Sequence, residues 1–476
     1  MEGAASGPVG LAAGQFLMQP LNILIIAAGK GTRMKSSRAK VLHRLCGKSM
    51  VRLVYESAAG LKADGILVVV GQDADLVRAE LAGLPAEFLL QAELLGTGHA
   101  VMAAAEALAQ KGGDVLVLFG DAPLIKTETL RRLLDRHRRS GADTTLLTVQ
   151  TAAPHGYGRI LRDAGGRILG IVEEKDASPE QRKISEVNPS FYCFKIPPLL
   201  EALNSLTHDN AQKEYYLTDV VGIQARAGRS LETLPHGDFQ ELRGVNTRRE
   251  LAELAAALRL DKNDALMASG VTLIDPDRTY VDLDVAVARD AIIYPMVCLE
   301  GNTSVGEGTT IHSGSRIVNA CIGAGVEILD CCLIVESTVG DHAVVGPFAH
   351  IRKEAWIGPR CRIGNFVEIK KSRLDEGVKA AHLAYLGDAE IGRDVNIGAG
   401  TITCNYDGVR KNPTIIEEGA FIGTDSQLVA PVRVGRGAYV AAGSCITEDV
   451  PPDALAIARS RQTIKEGWAR RRKGPR

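Results

Sequence analysis

Val339-Gly340-Asp341-His342-Ala343-Val344-Val345-Gly346 and, a little further on, Ile357-Gly358-Pro359-Arg360-Cys361-Arg362-Ile363-Gly364 decide the fold. In each, an aliphatic residue followed by glycine recurs after six residues. Working outward, the same pair appears at Val305-Gly306, Ile322-Gly323, Ile391-Gly392, Ile397-Gly398, Ile422-Gly423 and Val434-Gly435, with several gaps of 6, 12 or 17 residues. A six-residue period suits neither an amphipathic helix nor a hairpin ladder. It suits a short strand and a turn, repeated as the faces of a prism with about three hexapeptides per coil. The aliphatic residues point inward and stack from coil to coil, and the glycine is expected to relax the backbone at the corner. Ordinary strands with glycine turns would not repeat the pair ten times between Val305 and Gly435. The region from about Arg289 to Thr447 is read as a parallel β-helix.

The whole chain has 476 residues, too many for one core. Hydrophobic residues at 45% and charged residues at 24% are ordinary for a globular protein, and the repeats explain much of the high glycine count of 50. Aromatics at 4% and a net charge of −1 argue against a nucleic-acid or membrane partner. The nine cysteines are odd in number and contain no CxxC, which suits a reducing cytosol and does not suggest a disulfide framework or a zinc site. Those in the repeats are expected to fill inward positions as small apolar groups. The first seventeen residues lack a basic segment and a long apolar core and so are not expected to act as a signal peptide, and no stretch is long and apolar enough to span a bilayer. Either Met18 is the start or residues 1–20 form a disordered leader.

Residues 22–235 alternate β-branched runs with helical patterns, predicting an open α/β sheet. Strands are expected at Asn22–Ala27, Gly65–Val70, Val115–Phe119 and Thr144–Val149. Helices are expected near Met50–Lys62, Asp73–Leu81, Gly98–Gln110 and Glu128–Arg139. Ligands of such sheets gather at the carboxyl ends of the strands. The first such loop is Ala27-Ala28-Gly29-Lys30-Gly31-Thr32-Arg33-Met34, with Lys40 beyond it. Its glycines admit close backbone approach to a phosphate, and Arg33 and Lys40 carry fixed positive charge. Met34 stands where a dinucleotide fingerprint needs its third glycine, and no P-loop spacing follows. On spacing alone a phosphate loop and a plain tight turn both remain open.

That string resembles the signature loop of the sugar-1-phosphate nucleotidyltransferases. Gln91-Ala92-Glu93 with Gly96-Thr97-Gly98-His99-Ala100 is similar to their uracil-reading segment, and Phe119-Gly120-Asp121-Ala122-Pro123-Leu124 to their metal loop. Gly156-Tyr157-Gly158-Arg159-Ile160, Glu173, Asn188 and Gly244-Val245-Asn246 follow in order. Together with the repeats, Asn22 to Trp468 resembles the bacterial bifunctional N-acetylglucosamine-1-phosphate uridyltransferase / glucosamine-1-phosphate N-acetyltransferase family. The resemblance implies a Rossmann-like nucleotidyltransferase domain (21–245), a helical linker (246–270) and a left-handed, trimeric β-helix acetyltransferase domain with a basic tail (271–476).

It also implies roles. Arg33 and Lys40 would hold phosphates of UTP along the Ala27-Ala28-Gly29 loop, with Gln91, Gly96 and Thr97 at the uracil. Phe119, Gly120 and Asp121 would lie at the metal loop, and Asp121 with Asn246 would ligate Mg²⁺, which takes one or two protein ligands beside phosphate oxygens. Gly158, Glu173 and Asn188 would bind the sugar. Ala39 stands where a proline usually precedes the lysine, and Pro189 follows Asn188 where a small polar residue is common.

Asn246 to about Ser269 predicts a connecting helix, with an apolar stripe of Leu251, Leu254, Ala255 and Leu258. Within the prism, the polar run Thr403 to Pro413 cannot occupy a face and is expected as an extruded loop. Upstream, Lys379-Ala380-Ala381-His382-Leu383-Ala384-Tyr385-Leu386-Gly387-Asp388 resembles the family's acetyltransferase site. Acetyl transfer to an amine needs a base titrating near neutrality, which imidazole supplies. By resemblance His382 is that base and Glu368 the carboxylate that orients it. Arg352 and Lys370 would hold glucosamine-1-phosphate, with Tyr385, Asn396, Asn405 and Tyr406 shaping the pocket. Ala399, Thr424, Ala442 and Arg459 would line the acetyl-CoA site. Ala381 replaces a usual glycine and Thr424 a usual serine.

Three function classes compete. A two-step enzyme would acetylate glucosamine-1-phosphate and then uridylylate N-acetylglucosamine-1-phosphate. A nucleotidyltransferase with the prism as scaffold would lack the His382 string and the extruded loop. A non-catalytic sensor would have lost Arg33, Lys40 or Asp121, all of which are present.

Overall fold

The computed structural model describes residues 19–473. The leader expected over 1–20 lies outside them apart from its last two residues. The chain divides into two compact units, with the boundary between Leu254 and Ala255 inside the helix Arg248–Ala268.

In the first unit, the apolar runs form one sheet in the spatial order Glu87–Leu90, Gly65–Val70, Leu21–Ile26, Asp114–Phe119, Tyr192–Lys195, Thr144–Gln150, Glu186–Asn188, Gly158–Arg162, Ile168–Val172. The first four strands are parallel. Tyr192–Lys195 runs antiparallel to both its neighbours, so the sheet is mixed rather than purely doubly wound. Leu21–Ile26 is flanked on one side by Gly65–Val70 and on the other by Asp114–Phe119, which makes its carboxyl end a switch point. Helices cover both faces over two buried apolar clusters. The helix expected over Gly98–Gln110 is interrupted, running Thr97–Met102 and then Ala105–Lys111.

The second unit is a parallel β-helix of the hexapeptide type. One inward ladder runs Val305, Ile322, Val339, Ile357, Leu374, Ile391, Ile416, Val434, each paired in parallel with the next. All ten aliphatic residues of the repeated pairs are buried. Each contributes roughly 1.5–3 kcal/mol relative to exposure, and the ladder forms one continuous core. The step from Ile391 to Ile416 is longer than the others, and the excess is the extruded segment, closed by a bridge between Tyr406 and Lys411.

Two expectations are corrected. The pair glycines do not serve a left-handed corner, save Gly346 at φ 106°. A Cβ at Gly306, Gly340, Gly358, Gly398 or Gly423 would instead fall 2.5–2.8 Å from backbone of the adjoining coil. Glycine is required because successive coils approach too closely for a side chain. The cysteines of the prism are mostly not inward: Cys332 and Cys361 are buried, whereas Cys321, Cys331 and Cys445 are exposed, because isoleucine and valine occupy the inward ladder. No disulfide joins any of the nine.

Gly364 makes the crowding testable, since its Cβ would overlap the carbonyl oxygen of Ala381. Gly364→Ala is expected to cost about 3 kcal/mol. Gly308→Ala, with φ 66° and open space around its Cβ, should cost only about 1 kcal/mol. Thermal melts of the two variants give the comparison.

The start of the prism is closed by the C-terminal part of the helix Arg248–Ala268. Asn263 Nδ2 donates to the carbonyls of Pro276 (2.8 Å) and Thr279 (3.0 Å), and Lys262 Nζ donates to those of Leu283 (3.0 Å) and Val285 (2.8 Å).

Candidate functional site

In the first unit the strand ends are tied together by backbone bonds: Ala27 N to Val69 O (2.8 Å), Gln91 N to Val70 O (2.8 Å) and Gly120 N to Ile26 O (2.9 Å). Beside them opens a cleft of about 490 Å³ whose lining includes Gly29, Arg33, Lys40, Thr97, Phe119, Asp121, Gly158, Glu173, Asn188 and Asn246. Residues far apart in the chain therefore meet in one place. The Lys40 ammonium is ion-paired with Asp121 and lies 3.3 Å from Asn246 Oδ1, which also accepts from Arg33 Nη2 at 2.8 Å. Gly31 permits this, because at φ 59° its Cβ would meet the Lys40 side chain.

Three further residues hold the arrangement. Val245 N donates to Asp121 O at 2.8 Å, joining the two segments that carry Asp121 and Asn246. Glu250 Oε2 accepts from Asn246 N (2.7 Å) and Thr247 N (2.8 Å), while Thr247 Oγ1 accepts from Glu250 N, a capping box that fixes Asn246 at the helix start. Asp121 and Asn246 thus present one carboxylate and one carboxamide oxygen to a common point. Such a hard, two-oxygen donor set fits Mg²⁺ completed by phosphate oxygens and water. Among the described residues no group of three His, Cys, Asp or Glu side chains forms a metal cage.

At the far end of the cleft Glu173 Oε1 accepts from Thr218 Oγ1 (2.9 Å), and burial pushes its carboxyl above the usual carboxylate range. Asn188 Nδ2 donates to the Tyr192 hydroxyl (2.5 Å), and its Oδ1 accepts from Ser190 N (3.1 Å). Tyr216 lines the same end, its hydroxyl pushed up to about 12 by burial. Sequence reasoning did not single it out, because a tyrosine in a loop carries no spacing signal. Gln91 is only 3% exposed, with Nε2 donating to Gly96 O (3.1 Å) and contacting His99 Nδ1 (3.0 Å). Thr97 Oγ1 accepts from Leu217 N at 3.1 Å. Ala28 is buried at the end of the first strand. Ala39 has φ −51° and ψ 139°, a backbone that proline also adopts, so the loop before Lys40 keeps its course. Pro189 lines the cleft.

In the second unit the site residues lie in register on successive coils. Arg352 pairs with Lys370, Glu368 with Tyr385, Asn365 with His382, and Lys379 with Asn396. His382 is exposed, and its Nδ1 lies 2.9 Å from Asn365 Oδ1. An acceptor there places the ring proton on Nδ1 and leaves the Nε2 lone pair outward. Glu368 is not the ring's partner. Three positions further along its strand, it accepts from Arg352 at Nη2 (2.5 Å) and Nε (3.0 Å). Within this chain the side chain that touches the imidazole is Asn365. Asn365 precedes His382 by one coil, here 17 residues, so its position follows from the repeat once the register is known.

Counting two residues on from the stacked Ala380, Ile397, Ile422 and Val440 places His382, Ala399, Thr424 and Ala442 in one column along the prism. Arg459 adjoins its end, with Cδ 3.7 Å from the Cβ position of Gly443. The extruded loop brings Lys411 to Lys370 and holds Lys370 below its ordinary range. Lys411 is the basic residue that sequence reasoning passed over in a loop of turn formers. Asn405 Nδ2 lies 3.5 Å from the Tyr385 hydroxyl, and the Tyr406 hydroxyl turns back to Gly408 O (2.6 Å).

Residues 23–215 match the family of MobA-like NTP transferase domains, and residues 336–371 match the bacterial transferase hexapeptide of six repeats. The chain is 48% identical to a bifunctional protein GlmU of Pelobacter propionicus, over 96% of this chain and 99% of the relative. It is 49% identical to one of Geobacillus sp., over 94% and 97%, and 47% identical to one of Koribacter versatilis, over 95% and 97%. With an α/β unit that matches the NTP transferase model, a hexapeptide prism as the other unit and near-complete coverage at these identities, the chain belongs to the bifunctional GlmU family.

Proposed function

We infer that this chain is a bifunctional enzyme that makes UDP-N-acetylglucosamine, acetylating glucosamine-1-phosphate on the prism and transferring uridylyl from UTP on the α/β unit. The observation that carries the reading is the separate assembly of two sets: Lys40, Asp121 and Asn246 in the cleft, and His382 with Asn365 on the prism.

On the prism, the amine of glucosamine-1-phosphate attacks the thioester carbon of acetyl-CoA. An N–C bond forms, the C–S bond breaks, the amine proton passes to His382 Nε2, and the departing CoA thiolate takes that proton back from the imidazolium to leave as the thiol. Asn365 keeps the imidazole in the tautomer that can accept that proton. Arg352, Lys370 and Lys411 bind the sugar phosphate, Tyr385, Asn396 and Asn405 shape the pocket, and the Ala399–Thr424–Ala442 column with Arg459 and Tyr406 takes the CoA chain. In the cleft, a phosphate oxygen of N-acetylglucosamine-1-phosphate attacks the α-phosphorus of UTP, and pyrophosphate leaves without a covalent enzyme intermediate. Arg33 and Lys40 align the two polyanions and offset developing charge. Gln91 and Thr97 meet the uracil, and Glu173, Asn188 and Gly158 meet the sugar. Mg²⁺ held by Asp121 and Asn246 would neutralise phosphate charge.

The exposed position of His382 supports a pocket completed by a neighbouring chain, and a homotrimer built through the prism meets that need. No described helix is long and apolar enough to cross a membrane, which agrees with action on soluble cytoplasmic substrates.

The purified protein, given glucosamine-1-phosphate, acetyl-CoA, UTP and Mg²⁺, should release both CoA thiol and pyrophosphate. Chelation with EDTA should stop pyrophosphate release and leave thiol release unchanged, since the acetyl step uses no metal. Pyrophosphate release from UTP when N-acetylglucosamine-1-phosphate is supplied, without any thiol release in the first assay, would leave only the scaffold reading of the prism.

A further inference from the structure

Asp388 stands outside the residues given roles above, yet three parts of the acetyltransferase site meet on it. It follows Gly387 at φ 49°, a conformation that Asp and Asn adopt more readily than other residues with a side chain. Its N–H donates to Lys370 O (3.1 Å), its carbonyl accepts from Thr414 N (3.2 Å), and its carboxylate accepts from Asn405 Nδ2 at 2.5 Å. Asn405 and Thr414 are the two roots of the extruded loop that carries Lys411. Space around this junction is full. A Cβ on Gly387 would overlap the Tyr385 hydroxyl and fall 2.7 Å from Asn405 Nδ2, so the Asn405 carboxamide is pinned between Tyr385 and Asp388.

Charge is arranged around the same point. Lys370 is almost fully buried and is flanked by Lys411 from the loop and Arg352 from the preceding coil. Arg352 is paired with Glu368 on the strand that also carries Lys370. Asp388 is the carboxylate that acts on Lys370 in the opposite sense to its two cationic neighbours. Two like charges held at one phosphate subsite need such a counter-charge when the subsite is empty.

We propose that Asp388 is a positioning residue of the acetyltransferase site, clasping the extruded loop through Asn405 and holding Lys370 and Lys411 together as a preformed phosphate subsite. The proposal rests on the acetyltransferase reading given above. Asp388→Asn tests it with the shape and the backbone preference kept and the charge removed. The KM for glucosamine-1-phosphate is expected to rise about tenfold near neutral pH, with kcat altered much less. The alkaline rise of that KM should begin at lower pH than in the wild type. The reason is that Lys370, already depressed by Lys411, then lacks the carboxylate that favours its proton. Asp388→Ala, which also removes the clasp on Asn405, should raise the KM for acetyl-CoA as well. Uridylyl transfer, carried by the other unit, should stay at the wild-type rate in both variants and reports that the protein is folded. A KM and pH profile matching the wild type in Asp388→Asn overturns the proposal. So does a parallel loss of kcat and melting temperature with no change in pH profile, which would make Asp388 only structural. A wild-type protein inert toward glucosamine-1-phosphate and acetyl-CoA would instead overturn the acetyltransferase reading and the proposal with it.

Discussion

His382→Ala is expected to lower acetyl transfer by about 10²–10⁴-fold, the usual share of a positioned general base, and to leave uridylyl transfer at its wild-type rate. The imidazole sits at the surface of the prism with Asn365 as its side-chain partner, so its removal leaves no cavity and little change in stability. The loss should fall on kcat rather than on the KM for acetyl-CoA, because Ala399, Thr424 and Ala442 are untouched. Asn365→Ala should give a smaller loss of the same kind, since the ring remains but its tautomer is no longer selected. Thiol release from acetyl-CoA and pyrophosphate release from UTP, measured on the same preparation, separate the two activities. If His382→Ala removed both, the division into two independent sites would fail.

Asp121→Ala is expected to have the opposite selectivity, with uridylyl transfer reduced by at least about 10³-fold and acetyl transfer unchanged. Two effects combine at that carboxylate. It is one of the two oxygens suited to Mg²⁺, and it is the ion-pair partner of Lys40, so its loss leaves the ammonium with only Asn246 Oδ1 at 3.3 Å. Asp121→Asn keeps the volume and a ligand oxygen but not the charge, and should recover part of the activity at high Mg²⁺ concentration. Asp121→Ala should not recover, because no ligand oxygen remains at that place. Initial rates against Mg²⁺ concentration for the two variants give the test. A metal dependence unchanged from wild type would show that Asp121 acts only through Lys40.

The prism was readable in the sequence because its physical cause is local and repeated. A buried aliphatic residue and a glycine without room for a side chain recur wherever one coil rests on another. The parallel half of the α/β sheet was readable from runs such as Gly65–Val70, buried on both faces. The antiparallel strands Glu186–Asn188 and Ile168–Val172 were not, being short and lacking clear alternation. The same contrast holds at the sites. Lys40, Asp121 and His382 stood out because they lie in strings with recognisable neighbours. Asn365 and Lys411 did not, since each matters only through what lies one coil away or what a loop folds back upon. Residue type suggests a carboxylate for the imidazole, and within this chain register sets Glu368 opposite Tyr385 with Arg352 as its ion-pair partner.

The hydrogen bonds of Asn263 and Lys262 to the first turns of the prism seal one end of the column. The opposite end finishes at Leu455–Ala456, with Leu455 exposed. In a linear array, where every layer leans only on the layers next to it, melting proceeds from the unsealed terminus. Gentle heating should therefore unzip the column backward from Arg459, and thioester affinity should fade while the layers around Arg352 are still wound.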